Sequence, residues 1–256
     1  DLFNEKKYKK LFSKVNGLIK SKNYSKIIKN RVIESYYGDK KIKKLLTLNE
    51  FEDKKLSNSD ERLMLNRLNR LLPKIDIVIV QDFGHNFFTQ KIINLIQKKS
   101  KKLSLNVQSN SLNYGFNIIG KKFTKTDFYT LDERELELFS AKKNIDHLLE
   151  LKKLNKYLTA EKGFLTCGGK FSLVVEKNKY FKIPTLNKNA VDSVGAGDIF
   201  HSMSSLLSTV TKNNFLTLLL SQIAGAHSAS IVGNSDYPKL PEILNTFKFY
   251  KNSIKE

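Results

Sequence analysis

Apolar positions along this chain follow two alternating rhythms. A short apolar run stands at 75–80, bounded by polar residues, and further strands are expected at 103–107 and 127–131. Such a run marks a strand buried on both faces, as in a parallel sheet. Between them the period lengthens to that of a helix. Leu63, Leu65, Leu68, Leu71 and Leu72 share a face within 58–72, which Pro73 ends. Ile92, Ile93, Leu95 and Ile96 do so within 89–99, and further helices open at 133–139 and 146–154. Strands are also predicted at 31–37 and 156–159. Three more at 163–167, 171–175 and 180–183 are separated by turn residues and suit an antiparallel edge. Helices at 199–210, 216–232 and 241–251 follow, and residues 1–30 show a weak helical period around Tyr8, Leu11, Phe12, Val15, Leu18 and Ile19. Strands alternating with helices predict an α/β fold of three layers, α/β/α, with a mainly parallel sheet. No repeat or low-complexity linker divides residues 1–256, so one domain is expected.

Composition changes this picture little. The net charge is +20, yet the lysines are spread over the whole chain among Asn and Ile. That is the mark of a coding bias toward A and T, and no dedicated nucleic-acid surface is expected. A basic surface would still attract anionic metabolites. The single cysteine, Cys167, rules out an internal disulfide and fits a reducing, cytoplasmic compartment, with the thiol as an apolar filler. No membrane span is expected: the most apolar region, 215–232, is interrupted by Ser221, Gln222, His227, Ser228 and Ser230.

The chemistry concentrates at Asp192-Ser193-Val194-Gly195-Ala196-Gly197-Asp198-Ile199-Phe200. A glycine-rich turn opening a helix offers unpaired N–H groups and the positive end of the helix dipole to a phosphate. Asp198 follows in the first helical turn. A carboxylate beside a phosphate cradle is repelled unless it takes a proton, here from a hydroxyl being phosphorylated. The segment resembles the second signature of the ribokinase-like (PfkB-type) carbohydrate kinases, D-[ST]-x-G-A-G-D-x-F, at every fixed position. No Gly-x-x-x-x-Gly-Lys-[Ser/Thr] loop is present. Asp82-Phe83-Gly84 lacks the His-Arg-Asp and Val-Ala-Ile-Lys partners of protein kinases.

That resemblance implies a ribokinase-like fold and roles for other residues. Asp198 becomes the base, with Gly195, Ala196 and Gly197 as the anion hole. Ser193, Gly163, Gln222, Gly225 and Ala226 fall near the nucleotide. Asp132-x-x-Glu135 stands where such kinases carry Asn-x-x-Glu, associated with magnesium, although both acids could equally cap a helix. Asp82 and His85 end a strand that lines the sugar cleft in that family; a plain capped turn stays open as the alternative. The run from Asn106 through Gln108 and Asn110 to Asn117 resembles that of kinase domains joined to sugar nucleotidyltransferases, the heptose-phosphate kinase type among them. Its amides suit sugar hydroxyls or, equally, hold a long loop. Residues 158–163 are placed at the family's Thr-x-Gly-x-x-Gly, with only the last glycine kept.

The expectation is therefore an ATP- and magnesium-dependent sugar or sugar-phosphate kinase. A nucleoside kinase stays open, as does a catalytically incomplete module attached to a nucleotidyltransferase. A homodimer and a fused or partner nucleotidyltransferase stand beside these. The resemblance starts near Arg31. The family's first strand, its lid and its Gly-Gly motif find no match, which predicts a domain truncated at its N-terminus.

Overall fold

The computed structural model describes residues 21, 24, 27–35, 42–50, 54–110, 113–186 and 190–253. It opens on an antiparallel ribbon, β1 (Ile28–Ser35) with β2 (Ile42–Glu50), whose register shifts between Val32 and Ile33. Helix α1 (Asn58–Leu71) starts where the Ser57 side chain accepts from Asp60 N at 3.1 Å. It ends in a 3-10 turn, Leu72–Lys74, that contains Pro73. Then come β3 (Val78–Asp82), α2 (Gln90–Lys99, capped by Thr89), β4 (Leu103–Val107) and the single turn α3 (Ile119–Lys122). β5 (Phe128–Asp132) leads into α4 (Glu133–Ser140), and α5 (His147–Tyr157) precedes β6 (Lys162–Thr166). β7 (Phe171–Glu176) and β8 (Lys179–Pro184) complete the sheet. Helices α6 (Ala196–Val210), α7 (Asn214–Ser228) and α8 (Leu240–Ser253) follow.

The six strands lie in the order β3-β4-β5-β6-β7-β8, parallel from β3 to β6 and antiparallel from there to β8. Side-chain alternation builds the three layers. Leu165, Leu173 and Val175 face one core with Ile92, Ile96, Leu136, Leu151 and Leu154. Phe164, Val174 and Ile183 face the other, with Phe200, Leu218 and Ile223. Both cores are apolar and closely filled, so truncating a side chain such as Leu151 would cost about 2–5 kcal/mol. The predicted three-layer fold is therefore found, including its antiparallel edge.

Four details differ from the sequence reading. β3 is the outermost strand described and only partly buried, with Ile75 exposed, because a sheet edge has less cover than its centre. The strand expected at 156–159 does not form. α5 runs on to Tyr157, and Thr159 takes a left-handed φ of 49° that breaks the extended path. α7 stops at Ser228, and Val232 belongs to a separate 3-10 turn around Gly233. β2 was hidden by its lysines, which suit a ribbon exposed on both faces. The helical period at 8–19 and the last two residues of the strand at 31–37 lie outside the described residues.

α6 meets the sheet through polar side chains. His201 is fully buried, its Nδ1 3.1 Å from Thr130 Oγ1. Ser205 Oγ lies 2.7 Å from Ser104 Oγ. Burial pushes the His201 imidazole down to about 3 from its ordinary 6.5. Between those values the unfolded chain binds a proton that the folded one refuses, so stability falls as pH falls. The slope from this group alone reaches about 1.4 kcal/mol per pH unit and vanishes above 6.5. Urea midpoints between pH 7 and 5 should show it. A His201→Gln variant should lose that component; equal slopes in both proteins would contradict the assignment.

Candidate active site

The loop before α6 is pinned from several sides. Val191 N and Asp192 N donate to Ala229 O at 2.9 and 3.0 Å, tying the loop to the end of α7. The buried Asp192 carboxylate accepts from Val194 N and from Gly233 N, both at 3.1 Å. Lys44 Nζ of β2 lies 3.5 Å away. Burial opposes the charge on Asp192, but these donors outweigh it and hold the carboxyl below its ordinary range.

Gly195 then takes φ 82°, ψ −12°, a left-handed turn that strains any other L-residue. This conformation turns the next N–H groups outward. Among the described residues, the N–H groups of Gly195, Gly197 and Asp198 have no main-chain acceptor; Ala196 N reaches Ser193 O only at 3.4 Å. A Cβ added at Gly197 would meet no atom within 4 Å, so the space above the helix start is open. Free donors, the helix dipole and open space are the elements of a candidate anion site.

Asp198 is half-buried and aims its carboxylate at the end of β4, where Oδ1 accepts from Gln108 Nε2. The same Nε2 donates to Asn106 Oδ1 at 2.9 Å, and Asn106 Nδ2 donates to Thr130 O at 2.9 Å. Desolvation raises the Asp198 carboxyl above its ordinary value, and the Gln108 hydrogen bond moderates the rise. A carboxylate so placed is a stronger base than one in water and cannot swing away.

The pair Asp132 and Glu135 forms a capping box on α4. Asp132 Oδ1 accepts from Glu135 N at 2.8 Å, and Glu135 Oε2 accepts from Asp132 N at 2.9 Å. Glu135 Oε1 takes Ser109 N at 2.9 Å. Burial, then the Asp132 charge beside it, pushes Glu135 up to about 8. Both Glu135 oxygens thus hold main-chain donors, which suits the expected role of organising a cation's water shell. Asp132 is exposed and fits a hydrated hard cation, with Glu135 as its support.

Much of the expected sugar contact set is committed to the fold. Asp82 is 1% exposed; its carboxylate pairs with Lys122 Nζ at 2.5 Å and caps Gly84 N at 2.9 Å. Asn106 serves Thr130 and Gln108, and Asn110 Nδ2 donates to Phe83 O at 3.0 Å. Asn117 Nδ2 bridges Gln108 O and Asp82 O at 3.0 and 3.2 Å. A long loop leaving a sheet must satisfy its own backbone, and amides do so locally. Asp82, Asn106 and Asn110 therefore shape the strand ends, and Gln108 holds Asp198. His85 is half-buried nearby, its carbonyl accepting the Tyr24 hydroxyl. Lys122, the charge partner of Asp82, carried no signal in the sequence.

Beside the start of α6 opens a cavity of about 630 Å³. Its walls include Asp132, Ser193, Ala196 and Gly197, then Gln222, Gly225 and Ala226 of α7, and Phe171 with Ser172 of β7. That volume suits a nucleotide-sized ligand. A Cβ at Gly225 would come 3.3 Å from Ala196 O, so glycine there lets α7 approach the helix start. Gln222 Nε2 donates to Ser172 Oγ at 2.9 Å, while its buried Oε1 has no partner among the described residues. Gly163 is elsewhere. A Cβ there would lie 2.3 Å from the Tyr129 hydroxyl oxygen, so this glycine serves packing inside the sheet and not the cavity. The wall turn is Thr166-Cys167-Gly168-Gly169. Residues 158–163 are not among the residues that line this cavity.

Residues 117–217 match the family described as pfkB family carbohydrate kinase.

A search of curated proteins finds no match. Among solved structures, the ribokinase of Thermotoga maritima is similar at TM-score 0.62 and 20% identity, over 79% of this chain and 66% of that one. Arabidopsis thaliana ribokinase, complexed with ribose and ATP, gives 0.59 and 16%, over 80% and 66%. Escherichia coli phosphofructokinase-2, with substrates and products, gives 0.62 and 11%, over 82% and 67%. The fold is thus the ribokinase-like one. The chain spans just under two thirds of the length of both ribokinases. Among the described residues, no helix is long and apolar enough to cross a membrane.

Proposed function

We propose that this chain is an ATP-dependent kinase acting on a sugar or sugar-phosphate hydroxyl. One observation carries the reading: Asp198 stands at a helix start rich in free N–H groups, where Ala196 and Gly197 line a nucleotide-sized cavity, and its carboxylate meets Gln108 just past β4. The acceptor hydroxyl gives its proton to the Asp198 carboxylate as its oxygen bonds to the γ-phosphorus. The bond from that phosphorus to the bridging oxygen breaks, and ADP leaves with the electron pair. The N–H groups of Gly195, Ala196 and Gly197 stabilise charge growing on the moving phosphoryl, the largest kind of catalytic term. Gln108 fixes the base before the acceptor arrives. Magnesium would be held through water by Asp132, supported by Glu135, and would neutralise phosphate charge.

A heptose phosphate is the proposed acceptor class, on the amide-rich run from Asn106 to Asn117. A cytoplasmic setting, where ATP is supplied, is part of the proposal. ADP release should be measured with heptose phosphates, hexoses and nucleosides in turn. Turnover is expected with a sugar or sugar phosphate. A preference for nucleosides would move the acceptor class, and no turnover with any acceptor despite bound ATP would overturn the reading.

A further inference from the structure

Behind the cavity wall, three metal-binding side chains of different chemistry converge: Glu133, His147 and Cys167. Their donor atoms all lie within 4.8 Å of one another. Each comes from a separate segment and sits at a rigid element end. Glu133 is the first residue of α4, between the two residues of the capping box. His147 is the first residue of α5, with Asp146 as its cap. Cys167 follows β6; its N–H donates to Phe171 O at 2.9 Å and its carbonyl accepts Lys170 N at 3.0 Å.

We propose that these three side chains form a binding site for zinc or a similar borderline divalent cation. The donor set is one sulfur, one nitrogen and one oxygen, which suits zinc and disfavours magnesium or calcium. His147 Nε2 already lies 2.9 Å from Glu133 Oε1, so the imidazole faces the cluster. The Phe171 ring meets it edge-on at 5.5 Å and limits its rotation. Three protein donors leave a fourth position for water. On binding, the thiol proton leaves to solvent and the imidazole proton moves to Nδ1. The Lys170 ammonium, 3.2 Å from Glu133 Oε2, is the competing cation; its side chain is 68% exposed and moves aside at little cost. Thr166 and Gly168, on either side of Cys167, both line the cavity. A metal here therefore ties the cavity wall to α4 and α5. This inference does not depend on the kinase reading.

Zinc affinity is measured on metal-free protein by competition with a chromophoric chelator. One equivalent per chain is expected. His147→Ala and Glu133→Gln, both at partly exposed positions, should weaken it more than about ten-fold, since even outer partners of a ligand are worth that much. His227→Ala, on α7 and bonded to Thr246, should leave it unchanged. Cobalt supplies the second readout. The chain has one cysteine, so a thiolate-to-cobalt charge-transfer band can arise only at Cys167. Cys167→Ser should abolish the band, with melting compared in the absence of metal. Zinc held equally by all variants, or cobalt binding without that band, would overturn the site.

Discussion

Asp198→Asn should lower turnover by about 10²–10⁴-fold, the usual worth of a positioned general base, while ATP binds almost as before. The amide keeps the shape of the carboxylate, and its oxygen can still accept the Gln108 hydrogen bond. Lost is the ability to take a proton at the moment the acceptor oxygen attacks. The wild-type rate should also fall on the acid side as Asp198 protonates. Desolvation holds that carboxyl above its ordinary 3.8, so the fall begins at higher pH than for a solvated aspartate. Steady-state rates across pH, with ATP binding by calorimetry, decide the point. Turnover equal to wild type would remove Asp198 from the chemistry.

The second large effect is expected at Gly197. A valine there has room in the folded chain, because a Cβ meets no atom within 4 Å. That same open space lies over the free N–H groups, where an anion must approach. Gly197→Val should therefore leave the melting temperature within a few degrees and weaken ATP binding at least about 100-fold, some 2.7 kcal/mol. Gly195→Val would be a poorer probe, since its φ of 82° adds backbone strain to any loss of binding. Unchanged ATP affinity in Gly197→Val would mean that the helix start does not receive the phosphates.

The glycine-rich turn and Asp198 were legible in sequence because their chemistry is local: a turn, a helix start and an acid within nine residues. The strands of the sheet were legible for a similar reason. Burial on both faces favours apolar residues, as Leu103, Leu105 and Val107 show in a strand where every residue, Ser104 and Asn106 included, is buried. The fate of the polar strand ends was not legible. Asp82, Asn106 and Asn110 look alike whether they face a sugar or a backbone, and only the fold brings Lys122 to Asp82 or Thr130 O to Asn106. Gln108 was read as a sugar contact; its hydrogen-bond partner Asp198 lies 90 positions away. Gly163 misled because a glycine in a strand reads the same for a ligand as for the Tyr129 ring. The strand expected at 156–159 failed for a different reason. Tyr157 and Leu158 are apolar in either period, and four residues are too few to tell them apart.

Asp82, Lys122, Asn117, Gln108 and Asp198 are linked hand to hand through hydrogen bonds. Such residues do not mutate independently: replacing one strands its neighbour, and the penalty depends on what the others have become. A lineage carrying this architecture would cross between polar arrangements by paired or clustered exchanges, while its outer helices wander freely. Two descendants could then share a backbone and an acid at one helix start, yet spell the strand ends in mutually incompatible alphabets. Grafting a single amide from one to the other would harm both.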